Sequence, residues 1–476
     1  MKTKSSDGVA CSCFYPVKKT LLLFRSCRVG FDVILLMEHL GGSRMIRGSF
    51  SLSLLMRLVL LAWFGVVCAC QSTPSVSSVL PSSFTADARI QSEPVIRVRV
   101  MRQQSSIDIS AEGNARLRVR AAGTSPETAA VYSRSVFVEP RQGRWFFSQG
   151  QGASAMTLRT STLIVEAENG EPLQTQWGIY PGQLVLELDS DLRTFDVINR
   201  LPMEQYLPGV LDGELYKKWH PQAYASVAIA ARTYAMVQME KHVEDKFDVE
   251  STVASQAYNG LVSHTVAVSA VNSTRGKVLT WRKQIFPAYY SSACGGTGQD
   301  AAAAFVGAAN IPPLLGRYHG GCCADSPHYR WNPVVMDRYV LARRLVSWGR
   351  ANRHAISGLT RIADIRITRT NSAGRPTEFS IDDAAGRTYL MGPEQFRHAV
   401  NYTGGGMAAL AAEQTIKSSH VEVAVVGNQV RFTQGRGFGH GVGLCQWGTQ
   451  RLAVSGYSYS AILDFYYPGA VILKVY

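Results

Sequence analysis

The chain lacks several features that would point to common function classes. It has no internal repeat and no long run of lysine or arginine. An excess of basic residues scattered in this way gives no nucleic-acid footprint, and no nucleic-acid partner is expected. No apolar run spans a bilayer comfortably. The longest near the front, Leu58 to Ala69 (LVLLAWFGVVCA), is too short. The glycine-rich stretch from Gly435 to Gly448 is followed by no Gly-Lys-Ser/Thr and fits no GxGxxG register, so it is not a phosphate cradle. Cysteine is sparse, nine in 476 residues, and five of the nine lie at or before Cys70.

The front of the chain reads as an export signal. Arg57 precedes the apolar stretch and small residues close it. Val67-Cys68-Ala69-Cys70 is similar to a bacterial lipobox, with Cys70 as the acylated first residue of the mature chain. Residues 1–69 are thus a signal region, and Met45 or Met56 would each give a tidier start. Residues 70–94, rich in Ser, Pro and Thr, form a solvated tether. The expected location is the cell envelope, with the protein exported and held at a membrane by its lipid. Removing nine basic and three acidic residues with the signal region takes 49 and 35 down to 40 and 32, so the net charge falls from +14 to +8. That suits weak attraction to an acidic polymer.

The remainder is long enough for two or three packed units. Residues 95–200 are strand-rich, as the alternation of Val95-Ile96-Arg97-Val98-Arg99-Val100 illustrates. Helical sequence begins near Pro202. Pro221 suits a first helical turn, and Ala223–His242 runs on without Gly or Pro. Val421–Val426 and Gln429–Thr433 around Gly427-Asn428 read as a hairpin. Gly456 ends one helix, Ser458 caps the next, and Pro468-Gly469 ends that one. The fold class is α+β. A helical core is expected over 201–331, a smaller α/β subdomain inserted over 332–418, and a C-terminal part over 419–476 that completes the core.

Two segments carry the candidate chemistry. Leu201-Pro202-Met203-Glu204-Gln205-Tyr206-Leu207-Pro208-Gly209-Val210-Leu211-Asp212-Gly213-Glu214-Leu215 places a carboxylate, Glu214, at the mouth of a helix pair. Ala228-Ile229-Ala230-Ala231-Arg232-Thr233-Tyr234-Ala235 sets Arg232 among alanines that allow close packing. A charge on such a face is either solvated or paired and buried, and the pattern does not choose. The glycine-rich stretch adds one imidazole, one thiol, one amide and two aromatic rings among six glycines, so backbone there can approach a ligand closely.

These two segments are followed in order by Ser255-Gln256-Ala257-Tyr258-Asn259-Gly260, Tyr289–Thr297, Ser326-Pro327-His328-Tyr329-Arg330-Trp331, Gly435–Gly448 and Ile462–Gly469. The series resembles the SpoIID/LytB family, the stage II sporulation protein D and amidase-enhancer proteins, from about residue 95 to the C-terminus. The resemblance implies a SpoIID-like mixed core and a peptidoglycan lytic transglycosylase with Glu214 at the catalytic position. Such an enzyme needs one acid where ordinary glycosidases need two, because the 6-hydroxyl of the muramic acid attacks its own anomeric carbon. Glu214 would protonate the leaving oxygen and then take the hydroxyl proton, which calls for a raised pKa. Asp212 is the nearest rival; facing the same cleft, it would restore a two-carboxylate hydrolase. Arg232 would bind a sugar substituent or orient Glu214, or form a structural ion pair. Tyr290, His440 and Gln446 are candidate sugar-hydroxyl partners, and Trp447 a stacking surface. Arg397 echoes a block that would hold the insert against the cleft.

The partners implied are glycan strands, a membrane reached through the lipid and a cell-wall amidase. No cofactor is required. Zinc is possible at the remaining cysteines, Cys294, Cys322, Cys323 and Cys445, with His319, His328 or His440 as further ligands. Two disulfides, or partly free thiols, are the other solution. Some family members carry zinc near the block seen here as Thr252–Gly260, but Ser255 stands where a cysteine would be expected. Two other functions stay open: a non-enzymatic wall-binding amidase enhancer, and a cysteine amidase using Cys445 and His440. Separate wall-binding repeats, common in the enhancer branch, are not seen.

Overall fold

The computed structural model describes the backbone of three strands between residues 20 and 48, and residues 92–476 apart from 114, 150–155 and 253–254. The apolar stretch before Cys70, the proposed lipidation site and most of the tether lie outside the described residues. Residues 1–77 and 78–476 form two units. In the first, Thr20–Cys27, Gly30–Met37 and Arg44–Gly48 pair as an antiparallel meander.

The second unit opens with two sheets. One has seven strands in the spatial order Val249–Glu250, Val95–Gln104, Phe195–Pro202, Gln183–Leu188, Thr162–Ala167, Leu117–Ala121 and Ala130–Tyr132. All its pairs are antiparallel except that of Val249–Glu250 with Val95–Gln104. The other has six antiparallel strands, from Met156–Leu158 at one edge to Gly178–Tyr180 at the other. Period-two alternation drives both: Ile96, Val98 and Val100 point inward while Arg97 and Arg99 are partly exposed. Between the sheets Trp145 is fully buried, edge-on to Phe195 at 5.3 Å, with its indole N–H on the Thr160 carbonyl. Burying an aromatic of that size contributes about 2–3 kcal/mol.

Three helices follow: α1 (Met203–Glu214), α2 (Pro221–Lys241) and α3 (Thr265–Ser273). Pro221 opens α2 as expected, and the His220 ring caps it by accepting the Gln222 N–H. Helix α2 is buried nearly all round, because the sheet lies on one side and α1, α3 and the C-terminal helices pack on the others.

A second apolar core runs from Val334 to Phe432. It gathers α4 (Arg338–Ala351), α5 (Pro393–Val400) and the meander Ile362–Thr370, Pro376–Asp383, Thr388–Met391. The hairpin Glu422–Val426 and Gln429–Thr433 forms where expected. It pairs with Val334–Asp337, so it packs in this second core rather than in the main one. The chain then returns to the main core through Leu444–Cys445, α6 (Gln446–Val454), α7 (Tyr459–Tyr466) and Val471–Lys474. Ser458 caps α7 through the Ala461 N–H.

Candidate active site

Glu214 is the last residue of α1, the negative end of the helix, where a carboxylate is disfavoured. A loop crosses α1 there. Glycines at 209 and 213, one turn apart, leave room for it: a Cβ on Gly209 would strike the Tyr258 ring and the Gly260 carbonyl, and one on Gly213 would stand 3.1 Å from Ala257. This approach puts the Ala257 N–H 2.9 Å from Glu214 Oε1. From the other side Gln446, the first residue of α6, donates its Nε2 to Glu214 Oε2 at 2.8 Å. Burial pushes the Glu214 pKa up, and the two N–H donors only partly offset it. No cation pairs with Glu214 among the described residues.

Asp212 does not share this face. Two residues along a helix are about 200° apart. Accordingly, Asp212 accepts from Asn259 Nδ2 at 3.0 Å and lies beside His264.

Behind Glu214 stands a buried polar relay. The Tyr206 hydroxyl donates to Gln256 Oε1 at 3.1 Å, and Gln256 Nε2 donates to the Tyr290 hydroxyl at 2.9 Å and to the Ala231 carbonyl. Burial, with the Glu214 charge nearby, holds both phenols well above their ordinary pKa. Tyr290, an acceptor in that bond, keeps its own proton to donate. Gln256 is fully buried and the hub of the relay. It lies in a block that sequence reading marked only as a family signature.

Arg232 is placed differently from the expected sugar-binding role. It is fully buried, and its fork is taken up by Glu204, with Nε to Oε1 at 2.9 Å and Nη2 to Oε2 at 2.7 Å. Nη1 goes to the Lys277 carbonyl. The alternative, a structural ion pair, fits this geometry. Gln446, expected as a sugar partner, gives an Nε2 hydrogen to Glu214.

The glycine-rich stretch lies along residues 290–299: Tyr290–Ser291 pairs in parallel with Leu444–Cys445, and single bridges join Ala293 to Phe438 and Gln299 to Val442. This pairing delivers Gln446 to the acid. Several of its glycines meet protein rather than open space; a Cβ on Gly441 (φ +74) would run into the Arg375 guanidinium. Trp447 packs with Trp219 and Tyr216, ring centroids 5.3–5.5 Å apart. Tyr216, two residues past Glu214, is 60% exposed and is the open face of this cluster. It carried no sequence signal beyond standing next to the Glu214 segment.

His440 Nδ1 accepts the Val442 N–H, and its ring contacts Tyr289 and Phe305. Burial lowers its pKa to about 4. Cys445 Sγ instead accepts the N–H groups of Cys294 and Gly448. Each partner of the alternative cysteine–histidine pair is therefore engaged elsewhere. Arg397 stays within α5, paired with Glu394. The four cysteines of residues 294–445 converge, all buried as free thiols with their sulfurs within 4.8 Å of one another. No histidine belongs to that group. His328 packs on Phe438, and His319 on Phe465 and Tyr466.

Residues 192–281, which span α1, α2, the crossing loop and α3, match the family model SpoIID, described as stage II sporulation protein. An uncharacterized protein of Brachyspira hyodysenteriae is 30% identical over 318 residues, 65% of this chain and 76% of that protein. The amidase enhancer of Bacillus subtilis is 26% identical over 56% of this chain, but the match spans only 40% of the enhancer's length. Stage II sporulation protein D of the same organism is 23% identical over 58% of this chain and 75% of its own. The chain belongs to the SpoIID/LytB family.

Proposed function

We propose that the protein is a lytic transglycosylase that cleaves the MurNAc–GlcNAc bond of peptidoglycan with a single carboxyl group. The observation that carries this reading is the isolation of Glu214: raised in pKa, bound by two neutral N–H donors, with its nearest rival Asp212 turned to Asn259. A carboxyl of that kind keeps its proton to higher pH than an ordinary carboxyl does and can give it to the glycosidic oxygen as the C–O bond breaks. The resulting carboxylate then takes the proton of the muramic acid 6-hydroxyl as that oxygen bonds to the anomeric carbon, closing the 1,6-anhydro ring. The arrangement suits both states of the acid. Gln446 presents N–H to the carboxylate, and its amide can turn to present C=O to the protonated form. Tyr216, with Trp447 and Trp219 beneath it, supplies a flat apolar face next to the acid for a pyranose ring.

The substrate would be reached in the cell envelope, with the chain exported and anchored through acylated Cys70. Detergent-phase partitioning lost in Cys70→Ala would support the anchor. A second reading, an amidase enhancer without chemistry of its own, is favoured by the similarity to the Bacillus subtilis protein of that name. Digestion of purified glycan strands separates the two. Anhydro-muramic ends detected by mass spectrometry, and absent with Glu214→Gln, are the expected result. Binding without cleavage would favour the enhancer, and reducing ends would indicate a hydrolase.

A further inference from the structure

The buried cysteines call for a separate explanation, because none of them touches Glu214. Cys294 follows the strand Tyr290–Ser291, Cys322 and Cys323 share a run of tight turns, and Cys445 caps the N-terminus of α6. Each is at most 9% exposed. Cys294 Sγ lies 3.6 Å from Cys322 Sγ and 3.7 Å from Cys323 Sγ. A tetrahedral zinc with Zn–S bonds of about 2.3 Å places its sulfurs about 3.8 Å apart. Two disulfides would require the sulfurs to sort into pairs bonded at about 2.05 Å. Here Cys294 is equidistant from two neighbours, which is the geometry of a shared centre and not of pairs.

Two further observations suit negative charge at that centre, although Cys445 Sγ also lies 3.8 Å from the Ser292 carbonyl. Backbone N–H groups of Cys294 and Gly448 point at Cys445 Sγ at 3.3 and 3.4 Å, the second from the first turn of α6, where the helix favours an anion. Arg375 is fully buried, and its guanidinium donates to the carbonyls of Cys294, Thr297 and His440; it forms no ion pair among the described residues, although the Glu394 charge acts on it from farther off. A buried cation with no counter-charge in contact is costly. Four thiolates around one divalent ion carry a net charge of −2, one peptide away from that guanidinium.

We propose that Cys294, Cys322, Cys323 and Cys445 form a closed structural zinc site. It ties three distant segments together and fixes the start of α6, where Gln446 reaches Glu214. With four protein ligands it has no open position for catalysis, and it stands whether or not the glycan reaction proposed above is correct.

The test uses the full chain purified without added metal. Elemental analysis should find one zinc per chain, and alkylation mapped by peptide mass spectrometry should find these four positions protected until the protein is treated with chelator and denaturant. The mapping matters because the chain carries five other cysteines. Replacement of zinc by cobalt should give the strong visible absorption and thiolate charge-transfer band of a tetrahedral tetrathiolate. Cys323→Ser should lose most of the bound metal. Arg375→Leu should release metal to a chelator faster than the parent does. If Cys323→Ser does not fold, the cobalt spectrum of the unaltered chain still decides. Disulfide-linked peptides joining these positions would overturn the proposal, as would four freely alkylated thiols with no metal.

Discussion

Of the three carboxylates on α1, Glu204 and Glu214 stand ten residues apart, and their surroundings differ in almost every respect. Glu204, in the first turn of α1, is buried and saturated: Arg232 grips both oxygens, while the Gly276 N–H and the Tyr476 hydroxyl add to Oε1. Burial pushes its pKa up, but the guanidinium outweighs that and leaves it below the ordinary value. Glu214, in the last turn, has two neutral donors, no cation and a raised pKa. The first is a permanently charged fastening between α1 and α2. The second is a group whose charge can change. Burial acts on both carboxyls, and the chemistry turns out opposite according to whether a cation answers it.

The largest effect should come from the movable charge. Glu214→Gln should lower glycan cleavage by roughly a hundred- to ten-thousand-fold, read as anhydro ends per unit time, while the folded protein and its glycan affinity remain. If Glu204→Gln gave the same loss in a fully folded protein, the division between the two carboxylates would be wrong.

The fastening should show up in stability instead. Arg232→Met leaves Glu204 buried without its partner and should cost about 3–5 kcal/mol in urea unfolding. The double change Glu204→Gln, Arg232→Met should cost less than Arg232→Met alone. Turnover by the folded fraction should be nearly unchanged in both. At low pH the parent should lose this contribution as Glu204 takes up a proton: a depressed native pKa stabilises above the unfolded value and fades as pH falls through the native one.

The contrast was half legible in the chain. Glu214 stood out because it ends an apolar helical segment beside a glycine, and the family blocks marked it. Helix α2 and its proline, and the hairpin at 422–433, followed from local periodicity and turn chemistry. Long-range pairing was not legible. Glu204 lay in the same segment as Glu214, but nothing in a linear sequence says that Arg232, 28 residues on, turns to it rather than to the acid. The same holds for the hairpin, whose alternation gives its own register but not its place beside Val334–Asp337. Gln446 looked like a sugar contact because only the parallel pairing of Tyr290–Ser291 with Leu444–Cys445 brings it onto Glu214.

Gln446 offers a smaller, sharper perturbation. Its N–H favours the charged form of Glu214, so Gln446→Leu should raise the acid's pKa further and move the alkaline limb of the pH–rate profile upward. The loss in kcat/KM should be roughly tenfold, the worth of one hydrogen bond to a charged group. A fall in rate with no shift of the limb would mean that Gln446 serves the substrate and not the acid.

The smallest effect reverses the usual expectation that removing a side chain weakens a fold. A carboxyl whose native pKa is raised binds its proton more tightly in the folded state than in the unfolded one. Stability therefore falls as pH rises from the ordinary carboxylate value through the native one, because over that window folding must hold a proton that the unfolded chain has released. Glu214→Gln removes the titration, and the amide oxygen still accepts the Ala257 N–H while Gln446 can turn to meet the new NH2 group. The variant should thus melt slightly above the parent near neutral pH, by no more than a few degrees, and the two should converge as pH drops below the ordinary carboxylate range. A variant that melts lower at every pH would show that the acid is held by its hydrogen bonds more than it is strained by burial, and would remove the physical basis for a proton kept on Glu214.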